Sequence, residues 1–397
     1  MRAARTRLTA VLVAGGTTAA LVLAPMTGAS AAATTLTINV GSGAMVHGVV
    51  LEGMRFNAPD TISVHRGDIL TFNFEGFHTA TLVPTGIGAD DWRMDHTGPG
   101  GDYALIQSDA DDPQPAFEFN KKVLFPPASA AGCGAPTAPC NYNGSAVVNS
   151  GAPLGSPTFS VTVDATPGST FWVLCIIHSM MQMRVKVVPN SEATTTQAQI
   201  NGNESAVNAL QRDEAAAVIN RLQKPTHHKT ASGRVVWDAY SGYDGDGWSL
   251  NAMFPTTLRI HKGDRVRWHF AQLLGNVHTV TFPRVTAISL ANKDFAGQNV
   301  VCETPTGDVP ADAPPPTFCS SGFQNAEFAV RAIGVLPQGS HKFFGTKTGL
   351  RSSGVRGPDG LTTASYDLRF KRLSPKNGFR YACAVHGAMM SGTVIVR

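Results

Sequence analysis

The sequence predicts an all-β protein: two tandem Greek-key β-sandwiches joined by a linker with one helix. Three features predict it: an internal repeat, a period-two hydrophobic pattern and a composition rich in turn residues. The repeat sets the organisation. Residues 59–68 read PDTISVHRGD and residues 255–264 read PTTLRIHKGD. Downstream, His78-Thr-Ala-Thr-Leu matches His278-Thr-Val-Thr-Phe, and Ser150-Gly151 matches Ser353-Gly354. FWVLCIIH, ending at His178, then matches FRYACAVH, ending at His386. One order of motifs occurring twice reads as two homologous domains, 34–189 and 232–397.

Along the chain, residues 1–31 come first and read as a secretory signal peptide. Arg2, Arg5 and Arg7 precede an uncharged apolar run from Leu8 to Pro25, and Ala29-Ser30-Ala31 offers small residues for cleavage. There is no Arg-Arg pair for a twin-arginine route, and no Cys after the run for a lipid anchor. No later apolar run is long enough to span a bilayer. The expectation is a secreted or extracytoplasmic protein with no stable membrane anchor.

The strands follow. In Thr61–His65 and Thr257–His261 every second residue is aliphatic, as it is in Arg184–Val187 and Thr393–Val396. Such alternation, broken by Gly and Pro, is that of half-buried antiparallel strands. Gly67-Asp68 and Gly263-Asp264 read as turns between paired strands. Between the copies, residues 190–231 are polar. Within them Val207, Leu210, Val218 and Leu222 recur at roughly helical spacing, which predicts one amphipathic helix over 204–223, stopped by Pro225.

Composition agrees and excludes alternatives. Of 397 residues, 43% are hydrophobic and only 15% charged, with 40 Gly and 25 Pro, so neither a disordered chain nor a coiled coil fits. The formal charge of +4 includes the three leader arginines. The remainder is almost neutral, which argues against nucleic acid as a partner.

The six cysteines divide by context. Cys133 and Cys140 lie in a Gly/Pro loop and Cys302 and Cys319 flank a Pro-rich one, so two local disulfides are expected. Cys175 and Cys383 instead end apolar, strand-like runs, and each has a His three residues on. With an upstream His and a following Met, each copy offers a metal-ligand set: His78, Cys175, His178 and Met181 in one, His278, Cys383, His386 and Met390 in the other. Thiolate and thioether select copper, and imidazole suits both of its oxidation states. Two His and one Cys with a weak axial Met form a type 1, or blue, copper site. Aligning the strands that follow each loop selects Met181 and Met390, with Met183 and Met389 as the alternatives. His65 and His261 read as turn residues, and His227-His228 as a linker pair able to bind metal only adventitiously.

These motifs resemble the cupredoxins, the plastocyanin- and azurin-like blue copper proteins. The resemblance rests on the Gly-Asp turns, on HTATL and HTVTF, and on CIIHSMMQMRVKV and CAVHGAMMSGTVIV. The His-to-Cys interval is longer than in small cupredoxins, so each domain carries an insertion. The resemblance implies two type 1 copper sites and electron exchange with a redox partner protein or a small electron carrier. Copper buffering or delivery is the alternative. A multicopper oxidase or nitrite reductase would need further copper held by His-x-His pairs or by a His beside the Cys. Leu174 and Ala382 precede the two cysteines and no His-x-His occurs, so the sequence reading is that the chain is not an enzyme.

Overall fold

The computed structural model describes residues 32–96, 105–107, 117–119, 132–151, 158–178, 180–270, 278–288, 342–343, 351–354, 356 and 365–397. The expected signal peptide and the expected Cys302–Cys319 bridge lie outside the described residues. Residues Ala33–Arg397 form one compact unit.

The first half contains β1 (Thr35–Val46), β2 (Val49–Phe56), β3 (Thr61–His65), β4 (Ile69–Phe74) and β5 (Thr81–Leu82). These are followed by helix α1 (Ala89–His96), then β6 (Leu105–Gln107), β7 (Phe117–Phe119), β8 (Cys140–Tyr142) and β9 (Val148–Asn149). β10 (Thr158–Val163), β11 (Thr170–Leu174) and β12 (Gln182–Val188) complete it. Helix α2 (Gln197–Leu222) leads to the second half: β13 (Thr226–Lys229), β14 (Val235–Gly245), β15 (Trp248–Phe254), β16 (Thr257–Ile260), β17 (Arg265–Phe270) and β18 (Thr281–Phe282). A short helix, α3, spans 284–288. The described strands that remain are β19 (Lys342–Phe343), β20 (Arg351–Ser352), β21 (Ser365–Phe370), β22 (Phe379–Cys383) and β23 (Gly387–Val396).

Each half is a pair of sheets. In the first, β2-β1-β4-β10-β8 faces β3-β12-β11-β5-β9; in the second, β15-β14-β17-β21-β19 faces β16-β23-β22-β18-β20. The alternation read from the sequence is the physical one: Ile62 and Val64 of β3 and Val185 and Val187 of β12 point inward and are buried, and their neighbours are not. They meet Leu36, Ile38, Leu70, Phe72 and Val161 from the opposite sheet in one apolar cluster. Leu258, Ile260, Val394 and Val396 meet Val266, Trp268 and Leu368 in the second half in the same way. Asp68 and Asp264 explain the Gly-Asp turns, each accepting a backbone hydrogen bond from the residue three back, His65 at 2.7 Å and His261 at 3.0 Å.

The two halves share a sheet. β15 pairs antiparallel with β2, Leu250 opposite Leu51 and Asn251 opposite Val50. The first sheets of the two sandwiches thereby become one eleven-stranded sheet, with β13 paired to β14 at its side. Thr226–Lys229, expected in the linker, is therefore a strand of the second half.

The linker helix exists but starts earlier and turns a different face inward than expected. Thr196 caps it: its hydroxyl accepts from Gln199 N–H, and the Gln199 side chain accepts from Thr196 N–H, a reciprocal box that sets the N-terminus. Its buried residues are Ile200, Gln211, Ala215, Ile219 and Leu222, whereas Leu210 is 58% exposed. The buried stripe includes a glutamine and an alanine, so hydrophobicity alone reads its phase wrongly. Ala215, Ile219 and Leu222 pack with Val46, Val49 and Leu51 from the first half and Trp248, Leu250 and Phe254 from the second. Gln211 donates to the Gly247 carbonyl and Trp248 donates to Glu214, both at 2.9 Å. The helix thus lies across the seam. Helices α1 and α3 were not expected; α1 places Trp92 in the first core.

Candidate metal centres

The His and Cys candidates sit at or beside strand ends, and Met390 lies within β23. In the first half the chain leaves β4 through Glu75 and Gly76 and sets His78 just before β5. Cys175 follows the last residue of β11, and the loop carrying His178 returns as β12, which pairs antiparallel with β11. The short return places Cys175 and His178 beside each other, and the sandwich brings His78 to them from a distant part of the chain.

Two repeated residues lock this arrangement. Thr79 N–H donates to Cys175 Sγ at 3.4 Å, and Thr79 Oγ1 accepts from Ile176 N–H at 3.0 Å. Thr279 does the same to Cys383 Sγ at 3.3 Å and Ala384 N–H at 2.7 Å. The repeated Ser-Gly step holds the same strand from its other side: Ser150 Oγ accepts from Ala80 N–H and Ser353 Oγ from Val280 N–H, both at 2.9 Å.

The donors converge. His78 Nδ1 lies 3.0 Å from His178 Nδ1, and Cys175 Sγ lies 3.7 Å from the latter. His278 Nδ1 lies 3.3 Å from His386 Nδ1, and Cys383 Sγ lies 3.4 Å from His386 Nδ1. Within each trio the ligand atoms stand within 4.8 Å of one another, and among the described residues no third group of this kind occurs. Both cysteines are free thiols and buried. The Cys133–Cys140 disulfide is present, as expected.

Met181 and Met390, the expected axial residues, are buried, and Cys175 N–H donates to the Met181 carbonyl at 2.9 Å. Met183 is buried too, while Met389 is 52% exposed. The other candidate histidines go elsewhere. His65 Nε2 lies 2.9 Å from the Glu192 carbonyl, and the His261 side chain is open to solvent. His227 packs on Trp237, and His228 lies 3.6 Å from Asp238.

Electrostatics prepare these groups for a cation. Burial pushes His78 and His386 down to about 4. His178 and His278 also lie well below the usual histidine range, through burial first and the neighbouring imidazole second. The four rings are therefore neutral at physiological pH, the form that binds a metal. Burial pushes both thiols up, partly opposed by the backbone N–H groups of Thr79 and Thr279. A bound cation would reverse that balance and ionise the sulfur. One soft buried sulfur and two imidazole nitrogens, buried except for the partly exposed His386 ring and without a second thiol, form a donor set that fits copper.

Sequence reasoning missed two glycines that make room for the outer nitrogens. Gly41 stands against His78 Nε2 and Gly242 against His278 Nε2, both at positive φ, and a Cβ at either place would collide with the ring. A second signal in the repeat could have shown them: each lies in the bulge of the first hairpin of its copy.

No protein-family model matches the chain, and no curated protein matches it. Solved structures similar to it include auracyanin B, at 16% identity and a TM-score of 0.19 over 40% of this chain and 90% of that one. The blue copper oxidase from Nitrosomonas europaea aligns at 13% identity and a TM-score of 0.17, over 63% of this chain and 64% of that one. A copper-containing nitrite reductase from Thermus scotoductus aligns at 12% identity and a TM-score of 0.19, over 92% of this chain and 68% of that one. These neighbours are cupredoxin-fold proteins, in keeping with the β-sandwiches described above. The expectation that the chain is not an enzyme is corrected here: multicopper oxidases and nitrite reductases, which are enzymes, stand among the neighbours.

Proposed function

We propose that the chain is a copper protein with two type 1 centres, one in each half, and that it works in electron transfer outside the cytoplasm. One observation carries the reading: the same trio of one buried thiol and two neutral imidazoles is built twice, on matched strand ends. His78, Cys175, His178 and Met181 would hold one copper; His278, Cys383, His386 and Met390 would hold the other. When bound, copper supplies a one-electron couple between Cu(II) and Cu(I).

The chain's own residues do the rest. The sandwich fixes the donors before any metal arrives, so little needs to move when the charge changes. Thr79 and Thr279 hold the sulfurs and orient them through backbone N–H donors. The disulfide supports an oxidising compartment. Among the described residues no helix is long and apolar enough to cross a membrane. A redox partner protein or a small electron carrier would meet the chain where apolar side chains near the loops are exposed: Met180, 69% exposed, in the first half, and Ala388 and Met389 in the second. The buried His178 ring and the partly buried His386 ring lie just behind.

Metal analysis with visible spectroscopy tests this. Two Cu per chain and an intense thiolate-to-Cu(II) absorption are expected, and Cys175→Ser and Cys383→Ser should each remove about half of it, because a hydroxyl does not replace the soft sulfur. A colourless protein holding two zinc ions would overturn the reading.

A further inference from the structure

The two centres repeat the same ligands, but the charges beside them differ. In the first half, Glu52 of β2 places Oε1 4.0 Å from the outer nitrogen of His78, Nε2. Gly76 leaves room for the approach: a Cβ there would stand 3.2 Å from both atoms. The carboxylate is held from the other half, where Asn251 of β15 donates to Glu52 Oε2 at 3.0 Å. At the corresponding step of the second hairpin, two residues beyond the glycine that faces the histidine, β14 and β15 pair Asp244 with Ser249. Ser249 stands where Glu52 does, and its hydroxyl donates to Asp244 at 2.8 Å.

The second half has its carboxylate, Asp244, on the partner strand and bonded to Ser249, and it adds a buried cation. Arg356 is buried and joined to His278 by a two-way backbone bridge, N–H to carbonyl at 2.8 Å in each direction. Its Nε donates to the Ser353 carbonyl at 3.0 Å, fixing the guanidinium beside the ligand strand. After the matching Ser150-Gly151 step the first copy has Pro153 in its place.

We infer that Glu52 and Arg356 are tuning residues that split the two centres in reduction potential, the first half lower and the second higher. The inference rests on the copper reading above. A carboxylate 4.0 Å from the outer nitrogen, beyond hydrogen-bond reach, acts on the centre through its charge and favours the more highly charged Cu(II). A guanidinium on the residue bridged to His278 disfavours that extra positive charge and favours Cu(I). At equilibrium, a single electron given to the chain by a one-electron reductant rests on the second centre. The second half also sets the first centre's potential, because Asn251 holds Glu52.

A spectroelectrochemical titration of the copper-loaded protein tests this, with Cys175→Ser and Cys383→Ser assigning each wave to its centre. Two one-electron waves are expected, with the first centre lower. Glu52→Gln should raise only the first, by about tenfold in the Cu(II)/Cu(I) ratio, which is about 59 mV for one electron. Arg356→Gln should lower only the second by a similar factor, and Arg356→Lys, which keeps the charge, should restore most of it. A single wave, the opposite order, or a Glu52→Gln protein whose first wave does not move would overturn the inference. Failure to bind two coppers in the unmutated protein would instead overturn the copper reading itself.

Discussion

Gly41 offers the sharpest test of how the fold builds the first centre. Gly41 and Gly48 both have φ of +77°, one in the bulge of β1 and the other in the turn to β2. A methyl group on Gly48 would have nothing within 4 Å of it, whereas one on Gly41 would collide with His78 Nε2 and the Glu75 carbonyl oxygen. Gly48→Ala thus isolates the cost of a left-handed alanine, about 1–2 kcal/mol. Gly41→Ala adds overpacking against a buried ring, about 1–3 kcal/mol more. Its metal-free form should therefore lose about 2–5 kcal/mol in urea unfolding, the sum of those two costs. The ring is buried against this position, so relieving the collision displaces it and Nδ1 should leave its place opposite His178. Copper loading should then fall to about one per chain, with the remaining absorption that of the second centre, while Gly48→Ala keeps both. A Gly41→Ala protein with two coppers and an unchanged spectrum would refute this account of the cradle, as would equal copper losses in the two variants.

Two further outcomes are expected. The metal-free protein should lose stability in acid. His78 and His386 are held down to about 4 against an ordinary 6.5, so the unfolded chain binds more protons between those values. Stability should be flat above pH 6.5 and fall by roughly 3 kcal/mol per ring on the way to pH 4; urea midpoints that stay constant from pH 7 to 4 would contradict it. Separately, Cys133→Ala with Cys140→Ala should cost about 2.5 kcal/mol by the chain-entropy relation, given the sequence separation of 7. Non-reducing peptide maps should show Cys302 joined to Cys319 and both Cys175 and Cys383 free, and a bridge to Cys175 would count against the whole assignment.

The repeat made most of this architecture legible. PDTISVHRGD and PTTLRIHKGD contain both a period-two strand and the aspartate that closes its turn, and both functions are local. The His-Thr and Cys-x-x-His motifs were legible because a metal trio needs particular atoms, which tolerate little substitution in type. What stayed hidden was set by tertiary context. The inward face of α2 is chosen by what lies beneath it, so Gln211 is buried by its bond to Gly247 while Leu210 points to solvent. The β2–β15 pairing leaves no motif, since any edge strand of suitable length can form it. Glu52 and Arg356 escaped notice for a related reason: each occurs in one copy only, and a repeat directs attention to what is shared.

The seam also bears on why the chain keeps two copies together. An unpaired sheet edge is open to non-specific pairing, and here each half covers the edge of the other. The cores continue across as well. The apolar cluster that holds Cys175, Leu174 and Ile176 also takes in Ala382 and Ala384, the two residues that flank Cys383. Where the first copy has Leu-Cys-Ile, the second has Ala-Cys-Ala. The two residues beside the second cysteine therefore pack with the core that holds the first. A solvated linker would have left the two candidate centres as separate sites. A shared sheet, a helix across the join and a common core instead make the position of each depend on the other, as Asn251 on Glu52 shows at the level of one hydrogen bond.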